Sequence, residues 1–326
     1  MRHLDLQVID QALAWLRDGH RIWLCTVLAT FGSSPREPGS LLVARGDGRH
    51  VGSLSGGCVE EDFLARLRDG EFDTGPCTLR YGDPEGPGGA RVRLPCGGML
   101  DVLIEPMTPQ AAALTQLEVM QATLLGQRPL LRRVDLASGR VHFVEDDGLG
   151  PRVEPHAATG QVSLRIGPAA RLILAGISPV AEACAESAQQ LGFEVIVCDP
   201  RAEKRAGFPV AGVEVQAVMP STFLASGACH AATAVVALTH DPRIDDLAMI
   251  EAVRTPAFYI GVMGSQRTSA ARAERLRRSG GLSEAQLARI HMPVGLALGS
   301  KTPAEIALAT LADIVRVQRG RSREAL

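Results

Sequence analysis

A cysteine that directly follows two glycines is the feature of this sequence best suited to chemistry. It lies in the run Ser53-Leu54-Ser55-Gly56-Gly57-Cys58-Val59-Glu60, where a strand pattern changes to a helical pattern. Glycine lets the backbone approach a ligand closely, and the first N–H groups of a helix can bind an anion or stabilise a thiolate. The run therefore predicts a site for an anionic or chemically soft ligand, with four candidate contacts: Gly56, Gly57, Cys58 and Glu60.

Two further loops have related compositions. The run Pro95-Cys96-Gly97-Gly98 also places a cysteine beside glycines, and Gly32-Ser33-Ser34-Pro35-Arg36-Glu37-Pro38-Gly39 contains an arginine suited to a phosphate. They add five candidate contacts, namely Ser34, Arg36, Cys96, Gly97 and Gly98. The alternative for any cysteine is burial as a small apolar side chain. We favour that alternative for Cys25, Cys77, Cys184 and Cys198, and a functional role for Cys58 and Cys96.

Size and composition indicate a globular protein of two domains. The chain has 326 residues, of which 46% are hydrophobic and 21% are charged, as expected for a protein with a normal core. A nucleic-acid partner would require a basic surface or aromatic stacking platforms. The net charge of -2 and the 4% content of aromatic residues do not favour such a partner.

The seven cysteines are predicted to be thiols. Their number is odd, no Cys-x-x-Cys motif occurs, and no group of cysteines and histidines has the spacing of a zinc site. The charged N-terminus does not resemble a signal peptide, and no stretch approaches the ~20 apolar residues of a membrane span. We therefore expect a cytoplasmic protein with reduced cysteines, no resident metal ion and no membrane partner.

The chain is predicted to contain three segments. Residues 1–107 have the mixed strand and helix patterns of an α+β domain, including a hairpin around Gly46-Asp47-Gly48. Residues 108–167 supply a connecting helix, a small hairpin and a linker. The linker, or a mobile loop, is expected over residues 146–160 because that stretch is rich in glycine and proline.

Residues 168–326 have the pattern of a Rossmann-like domain. Four short apolar strand patterns alternate with helical patterns, which predicts βαβ units and a doubly wound parallel sheet. The run Thr302-Pro303-Ala304-Glu305 is a capping box with proline at the first helical position, so a final helix is expected to about Val317. The fold class is therefore α/β, with an N-terminal mixed α+β domain followed by the Rossmann-like domain.

The dinucleotide fingerprint of this domain is incomplete. The G-x-G-x-x-G/A pattern aligns with Gly176, Ser178 and Ala181, and the serine places a Cβ where a pyrophosphate would approach the backbone. Asp199 follows the second strand at a distance suited to a ribose hydroxyl. The alternative is that Ser178 caps a helix with Pro179 at its first position and that no nucleotide binds. An NAD(P)-dependent oxidoreductase therefore remains only an alternative function.

Two other loops follow strands of the same domain. One is Thr239-His240-Asp241, and the other contains Gly264 and Ser265, followed by Arg267 before a helix that could hold a phosphate. The alternative is that His240 is structural and that Arg267 and Arg272 form a solvated basic helix face. The candidate contacts of this domain are Asp199, His240, Asp241, Gly264, Ser265 and Arg267.

These motifs, in this order, resemble those of the XdhC/CoxI family, the accessory proteins of molybdenum-cofactor enzymes of the xanthine dehydrogenase type. Beside the three loops above, the matching runs are Val102-Leu103-Ile104-Glu105-Pro106, Asp199-Pro200-Arg201, Thr239-His240-Asp241, Tyr259-Ile260-Gly261-Val262-Met263-Gly264-Ser265 and Arg289-Ile290-His291-Met292-Pro293-Val294-Gly295-Leu296. One departure is Gly176-Ile177-Ser178-Pro179-Val180, where members of the family usually have Gly-x-Gly-His-Val. This departure argues against a nucleotide-binding role of the turn more than against the resemblance to the family.

The resemblance implies a cytoplasmic chaperone, often dimeric, rather than an enzyme with turnover. It would bind molybdenum cofactor, as molybdopterin or molybdopterin cytosine dinucleotide, and deliver it to an apo-molybdoenzyme of the xanthine dehydrogenase type. It would also protect the cofactor and support its sulfuration with a cysteine desulfurase. Cys58 and Cys96 could then contact the molybdenum, since thiolates suit soft partners. A further alternative is that Cys58 transfers sulfur itself, which would make the protein a catalyst.

Overall fold

The computed structural model describes residues 3–31, 36–57, 59–82, 98–146 and 151–322. The chain forms two compact units, an N-terminal unit of Leu4–Pro168 and a C-terminal unit made mainly of Ala169–Leu326. Among the described residues, none of the helices has the length and apolar character needed to span a membrane.

The N-terminal unit begins with a five-stranded sheet, whose strands lie in the order β3-β2-β1-β5-β4 with antiparallel neighbours. Apolar residues of α1 and α3 cover one face of this sheet, and α2 packs with a second apolar cluster. The elements are α1 (Leu4–Arg17), β1 (Ile22–Phe31), β2 (Leu41–Arg45), β3 (His50–Gly52), α2 (Glu60–Arg68), β4 (Cys77–Tyr81), β5 (Met99–Met107) and α3 (Ala111–Leu124).

A second antiparallel sheet completes the unit, in the order β7-β6-β9-β8. Its strands are β6 (Leu130–Asp135), β7 (Val141–Glu145), β8 (Val153–His156) and β9 (Gln161–Arg165). The prediction of a linker over residues 146–160 is wrong for β8, which pairs with β9. Proline suggested a loop there, but β8 is an edge strand, where a residue without an N–H group is tolerated.

The C-terminal unit contains a six-stranded parallel sheet in the order β12-β11-β10-β13-β14-β15. The elements are β10 (Arg171–Ala175), α4 (Pro179–Gln190), β11 (Glu194–Cys198), α5 (Ala202–Ala206), β12 (Glu214–Gln216), α6 (Pro220–Ala225), β13 (Thr233–Ala237), α7 (Pro242–Ala252), β14 (Tyr259–Val262), α8 (Gln266–Arg278), α9 (Glu284–Ala288), β15 (Ile290–His291) and α10 (Pro303–Gln318). The predicted fold class, α+β followed by a Rossmann-like parallel sheet, is confirmed.

Each face of this parallel sheet is covered by helices. Alternate residues of β10 point to opposite sides: Leu172 and Leu174 pack with α4 and α10, whereas Ile173 and Ala175 pack with α7 and α8. Burial on both faces explains why the strands are continuously apolar in the sequence.

The run from Ile290 to Leu296 fixes α10 against the sheet. Gly295 has a φ of +87°, and a Cβ there would lie 3.0 Å from the backbone of Ala309. The N–H of Leu296 donates to the Ala309 carbonyl at 3.1 Å. The predicted capping box is confirmed, since the Thr302 side chain accepts from the Glu305 N–H. This packing gives a structural reason for the glycine in the Pro-Val-Gly-Leu run.

Candidate functional site

The described residues that flank the three predicted ligand loops lie at the same end of the five-stranded sheet. Phe31 is paired with Met99, so the segment after β1 and the segment before β5 start side by side. Leu42 is paired with Gly52, which places the end of β3 beside the start of β2. Tyr81, at the end of β4, is paired with Leu100. The sheet therefore gathers the flanks of all three loops, a convergence that sequence spacing alone could not establish.

Two of these loops are in direct contact. Arg36, from the first motif, donates from Nε to the carbonyl oxygen of Ser53 at 3.2 Å. Arg36 is half-buried, and this hydrogen bond holds its guanidinium beside the second motif. Four predicted contacts, Ser34, Cys58, Cys96 and Gly97, lie outside the described residues. Gly98 is buried immediately before β5.

The carboxylate of Glu60 is enclosed by the loop that precedes it. Its Oε1 accepts from the Ser53 hydroxyl at 2.7 Å and from the N–H groups of Leu54 and Ser55 at 2.8 and 3.0 Å. Its Oε2 accepts from the Ser55 hydroxyl at 2.9 Å and from the N–H groups of Gly57 and Val59 at 3.0 and 3.2 Å. We call this arrangement of residues 53–60 the Glu60 cage.

The cage keeps Glu60 ionised. Burial alone would raise the pKa of its carboxyl group, but the hydrogen bonds from Ser55, Ser53 and Leu54 outweigh burial and lower the pKa to about 2. A carboxylate offers about four lone-pair positions, so six donors saturate it. Glu60 therefore stabilises the loop, because the backbone of residues 53–59 folds around its carboxylate.

The cage also uses the N–H groups that the sequence pattern assigned to an anionic ligand. The N–H of Gly57 donates to Glu60, and the N–H of Gly56 donates to the Ser53 hydroxyl at 2.8 Å. Gly57 and Val59, on either side of position 58, both donate from their N–H groups to Glu60 Oε2. The glycines thus allow the chain to turn around Glu60, and a ligand of this loop would be contacted mainly by side chains.

The five described cysteines are not in disulfides. Cys25, Cys184 and Cys198 are buried, as predicted, and burial raises the pKa of each thiol. Cys77 and Cys229 are half-buried. Within the described ranges, no group of three or more histidine, cysteine or acidic side chains could hold a metal ion.

In the C-terminal unit, Ser178 of the incomplete fingerprint and the predicted contacts follow the carboxyl ends of four neighbouring parallel strands. Ser178 follows β10, Asp199 follows β11, His240 follows β13 and Gly264 follows β14. Strand order reverses between β10 and β13, and ligands of open α/β sheets bind at such a switch point. The fold therefore brings these residues to the edge where a Rossmann-like domain binds its ligand.

Asp199 is fully buried and holds the first turn of this sheet. Its Oδ2 accepts from the Ile177 N–H at 2.7 Å and from Arg201 Nη2 at 2.6 Å. Its Oδ1 accepts from the N–H and Nε of Arg201 at 2.8 and 2.9 Å. Burial would raise the pKa of this carboxyl group, but Arg201 and Ile177 outweigh burial and lower it. These four donors occupy the roughly four lone-pair positions of the Asp199 carboxylate, so no acceptor position remains for a ribose hydroxyl.

Ser178 forms the helix cap that was considered as the alternative to a nucleotide site. Its hydroxyl accepts from the Ala181 N–H at 3.1 Å and donates to the Leu238 carbonyl at 2.8 Å, with Pro179 at the first helical position. A Cβ on Gly176 would clash with the methyl group of Thr239. The first turn is thus packed closely against the loop that follows β13.

A buried ionic network, which sequence reasoning missed, supports the loops after β13 and β14. Asp245 accepts from the Thr239 hydroxyl at 2.6 Å and pairs with Arg272 at 3.3 Å. Arg272 also donates to the Met263 carbonyl at 2.7 Å and to Asp246 at 2.8 Å. The alternative of a solvated basic face is wrong for Arg272, which is 4% exposed. Arg267 is exposed.

The remaining predicted contacts lie at the starts of α7 and α8. The Asp241 side chain accepts from the Arg243 N–H and pairs with its guanidinium at 2.8 Å. Ser265 begins α8 with a capping box to Thr268, and a Cβ on the preceding Gly264 would lie 2.7 Å from the Thr268 hydroxyl. Because the capping box already satisfies part of this helix start, a phosphate here would rely on the remaining N–H groups and on Arg267.

His240 combines an exposed side chain with a strained backbone. It is the one non-glycine residue in the described ranges with a positive φ, +65°. Such a conformation costs about 1 to 2 kcal/mol for a residue with a Cβ and is concentrated at functional positions. The observation favours a role for the imidazole over the purely structural alternative.

We therefore expect His240→Gly to keep the free energy of unfolding within about 1 kcal/mol of the native value, because glycine adopts this φ without strain. His240→Val should lower it by more than about 1 kcal/mol, because a β-branched residue is disfavoured there. Calorimetric unfolding of both variants measures the difference. Equal losses would contradict the strained backbone.

Comparison with known proteins agrees with this arrangement. Residues 172–314 match the model of the XdhC Rossmann domain, and residues 15–82 match the model of the XdhC and CoxI family. A relative from Bacillus subtilis (strain 168), described as a probable subunit of xanthine dehydrogenase, is 28% identical over 94% of this chain and 96% of its own length. The molybdenum cofactor insertion chaperone PaoD from Escherichia coli (strain K12) is 28% identical over 95% of this chain and 88% of its own length.

The fold is also that of a solved structure. A crystal structure described as a xanthine dehydrogenase from Bacillus halodurans covers 100% of this chain and 98% of its own chain, with a TM-score of 0.71 and 23% identity. The family matches fall in both units, in the order in which the sequence motifs occur, and together they span most of the chain. The chain belongs to the XdhC and CoxI family.

Proposed function

We propose that this chain is an accessory chaperone that binds molybdenum cofactor and delivers it to a molybdoenzyme of the xanthine dehydrogenase type. The cofactor would be carried as molybdopterin or as molybdopterin cytosine dinucleotide, protected from solvent, and sulfurated with the help of a cysteine desulfurase. It is cargo, so the chain would bind and release it without turnover. We also propose that the protein works in the cytoplasm and as a homodimer.

The observation that carries this proposal is the similarity to PaoD over nearly the whole of both chains. A match of this extent includes both units, so it is not explained by a shared Rossmann-like fold alone. The name of the Bacillus subtilis relative supports a client of the xanthine dehydrogenase type. Within this chain, the flanks of the three loops lie at one end of the five-stranded sheet, which supports binding of a ligand with a soft, sulfur-rich end.

In the N-terminal unit, Cys58 and Cys96 would contact the molybdenum end of the cofactor. Ser34 and Arg36 would contact its polar or anionic part, with Arg36 held beside the second motif by its hydrogen bond to Ser53. Gly56 and Gly57 would let the chain turn around Glu60 so that the neighbouring side chains face the ligand, and Gly97 and Gly98 would let the backbone approach it. Glu60 would act as a positioning residue, since its carboxylate fixes the residues on both sides of Cys58.

In the C-terminal unit, the phosphate or nucleotide part of a ligand would lie at the carboxyl edge of the sheet. His240 and Arg267 offer exposed donors there, and Gly264, Ser265 and Asp241 begin the two neighbouring helices. Asp199 would hold the first turn and would not contact a ribose directly, since Ile177 and Arg201 saturate its oxygens. This argues against the alternative of an NAD(P)-dependent oxidoreductase.

The proposal is tested by retention of the cofactor. Cofactor released anaerobically from a purified molybdoenzyme is mixed with the protein, and the mixture is passed through a desalting column. We expect molybdenum and pterin to elute with the native chain, and several-fold less with Cys58→Ser. Cys77→Ser is the matched control, because Cys77 is a half-buried cysteine of the same unit and burial raises the pKa of its thiol.

Three outcomes would contradict the proposal. The first is that the native chain retains no molybdenum or pterin. The second is that both cysteine variants lose the same amount, which would make the effect one of stability. The third is that NADH or NADPH raises the melting temperature while the released cofactor does not, which would favour the oxidoreductase.

A further inference from the structure

The C-terminal unit has an open apolar groove on the face of the sheet covered by α4 and α10. Its volume is about 740 Å³, and its walls are the end of α4 and the outer side of α10. The residues that line it are mostly leucine, alanine and valine, with arginines at one end: Leu191, Leu296, Leu308, Leu311, Ala312, Val315, Arg316, Arg319 and Arg321, with Ser187 and Gln190 at the rim.

Two leucines of this groove are unusually exposed. Leu308 on α10 is 62% exposed, and Leu191 after α4 is 55% exposed. A single exposed leucine needs no explanation, but a contiguous apolar surface with a polar rim marks an interaction site. The groove lies away from the carboxyl edge of the sheet, so the proposed ligand contacts do not account for it.

The outer side of α10 has a regular pattern of charge. Glu305, Leu308, Ala312, Val315 and Arg319 follow each other at intervals of three and four residues, so they form one stripe along the helix. The stripe begins with an exposed acid, continues through apolar residues and ends with an exposed arginine. Ala312 lies at its centre, seven residues from each charge, or about 10 Å along the helix axis.

A surface of this kind is complementary to itself. A two-fold rotation about an axis through Ala312 places the acidic end of the stripe on the basic end of the other copy, and Leu308 opposite Val315 between them. The small side chain at position 312 allows the two helices to approach closely at the crossing point.

We infer that the groove between α4 and α10 is the interface of a homodimer, in which the two α10 helices cross antiparallel at Ala312. Glu305 of each copy then lies opposite Arg319 of the other, and Leu308 of each copy enters the groove of the other. This inference deepens the homodimer part of the proposed function and rests on it.

The first test is the mass of the protein in solution, measured by light scattering. We expect twice the chain mass of 34.5 kDa for the native protein and a single chain mass for Leu308→Asp. Leu247→Asp is the matched control and should remain a dimer. Leu247 is a leucine of α7, 45% exposed, and α7 packs on the opposite face of the same sheet.

The second test uses the symmetry axis. A cysteine at a position on a two-fold axis meets its own copy, so Ala312→Cys should form an interchain disulfide under mild oxidation. The product is a band of twice the chain mass on a non-reducing gel, absent from the native protein and from Leu247→Cys. Arg319→Glu should weaken the dimer, measured as an increase of its dissociation constant, because it places acid opposite acid.

The outcomes separate this inference from the proposed function. A native protein that is a monomer would overturn both the dimer and its interface, with retention of molybdenum cofactor unaffected. A dimer that survives Leu308→Asp, or that Ala312→Cys does not cross-link, would overturn the interface alone. Loss of the dimer in Leu247→Asp as well would also overturn it, since the effect would then not be specific to the groove.

Discussion

Replacing Glu60 by alanine is expected to lower the free energy of unfolding of the N-terminal unit by at least about 3 kcal/mol. The variant removes the acceptor of six hydrogen bonds and leaves the N–H groups of Leu54, Ser55, Gly57 and Val59 without it. Hydrogen bonds to a charged group are worth about 1.5 to 3 kcal/mol each, and buried donors that lose their partner add a desolvation cost. The contributions of the six hydrogen bonds are not additive, so the expected loss is well below their sum.

Tryptophan fluorescence can measure the stability of the N-terminal unit by itself. The chain has two tryptophans, Trp15 and Trp23, and both are buried in the N-terminal unit. Urea denaturation followed by their fluorescence therefore reports the unit that contains the cage. Glu61→Ala is the matched control, because Glu61 is an exposed glutamate in the same first turn of α2. A loss in Glu60→Ala no larger than that in Glu61→Ala would contradict the cage.

The same interaction predicts a dependence of stability on pH. The pKa of Glu60 is about 2 in the folded chain and near 4.5 when unfolded, so its contribution is complete above about pH 4.5. It is lost as the pH falls from 4.5 towards 2, by about 3 kcal/mol in total. The native protein should therefore lose its stability advantage over Glu60→Gln across this interval. A difference that stays constant from pH 6 to pH 3 would contradict the low pKa.

The fold was predictable because each unit carries signals of its own local structure. The continuous apolar strands of the C-terminal unit indicate a sheet buried on both faces, and the capping box at Thr302 marks the start of α10. The strand β8 was missed because Pro155 and the nearby glycines suggest a loop, while only the position of the strand at the sheet edge makes proline acceptable. Edge position is a tertiary property that local composition does not contain.

The site was predictable in its motifs and not in the partners of its side chains. Sequence spacing predicted Glu60 and Asp199 as ligand contacts, whereas the structure pairs both carboxylates with backbone N–H groups and side chains of the chain itself. A carboxylate that binds backbone N–H groups and one that binds a ligand use the same chemistry, so residue type cannot separate them. Arg272 was missed for a related reason, since its partners on α7 are more than twenty residues away in sequence.

A buried ion pair in the N-terminal unit gives a structural reason for the glutamate of another matched motif. Glu105, in the run Val102-Leu103-Ile104-Glu105-Pro106, accepts two hydrogen bonds from Arg132 at 2.7 and 2.9 Å. The Arg132 side chain is fully buried and that of Glu105 is 8% exposed. The pair joins β5 of the five-stranded sheet to β6 of the four-stranded sheet within the N-terminal unit. It therefore fixes the sheet whose other end carries the flanks of the three predicted ligand loops.

We expect Arg132→Leu to lower the free energy of unfolding of this unit by about 3 to 5 kcal/mol, because it leaves the Glu105 carboxylate buried and without its partner. The control is Arg80→Leu. Arg80 makes the same two-bond contact with Asp101, also on β5, but its side chain is 51% exposed. An exposed pair contributes at most about 1 kcal/mol. Tryptophan fluorescence in urea again measures both.

The double variant Arg132→Leu with Glu105→Leu separates the cost of an unpaired charge from the value of the pair. Because it leaves no buried charge, it should recover most of the stability that Arg132→Leu loses. If the pair also holds the ligand loops in place, the double variant will be stable but retain less molybdenum cofactor on the desalting column. Full retention of the cofactor by the stable double variant would show that the pair contributes only to stability. An equal loss of unfolding free energy in Arg132→Leu and Arg80→Leu would contradict the burial of the Arg132–Glu105 pair.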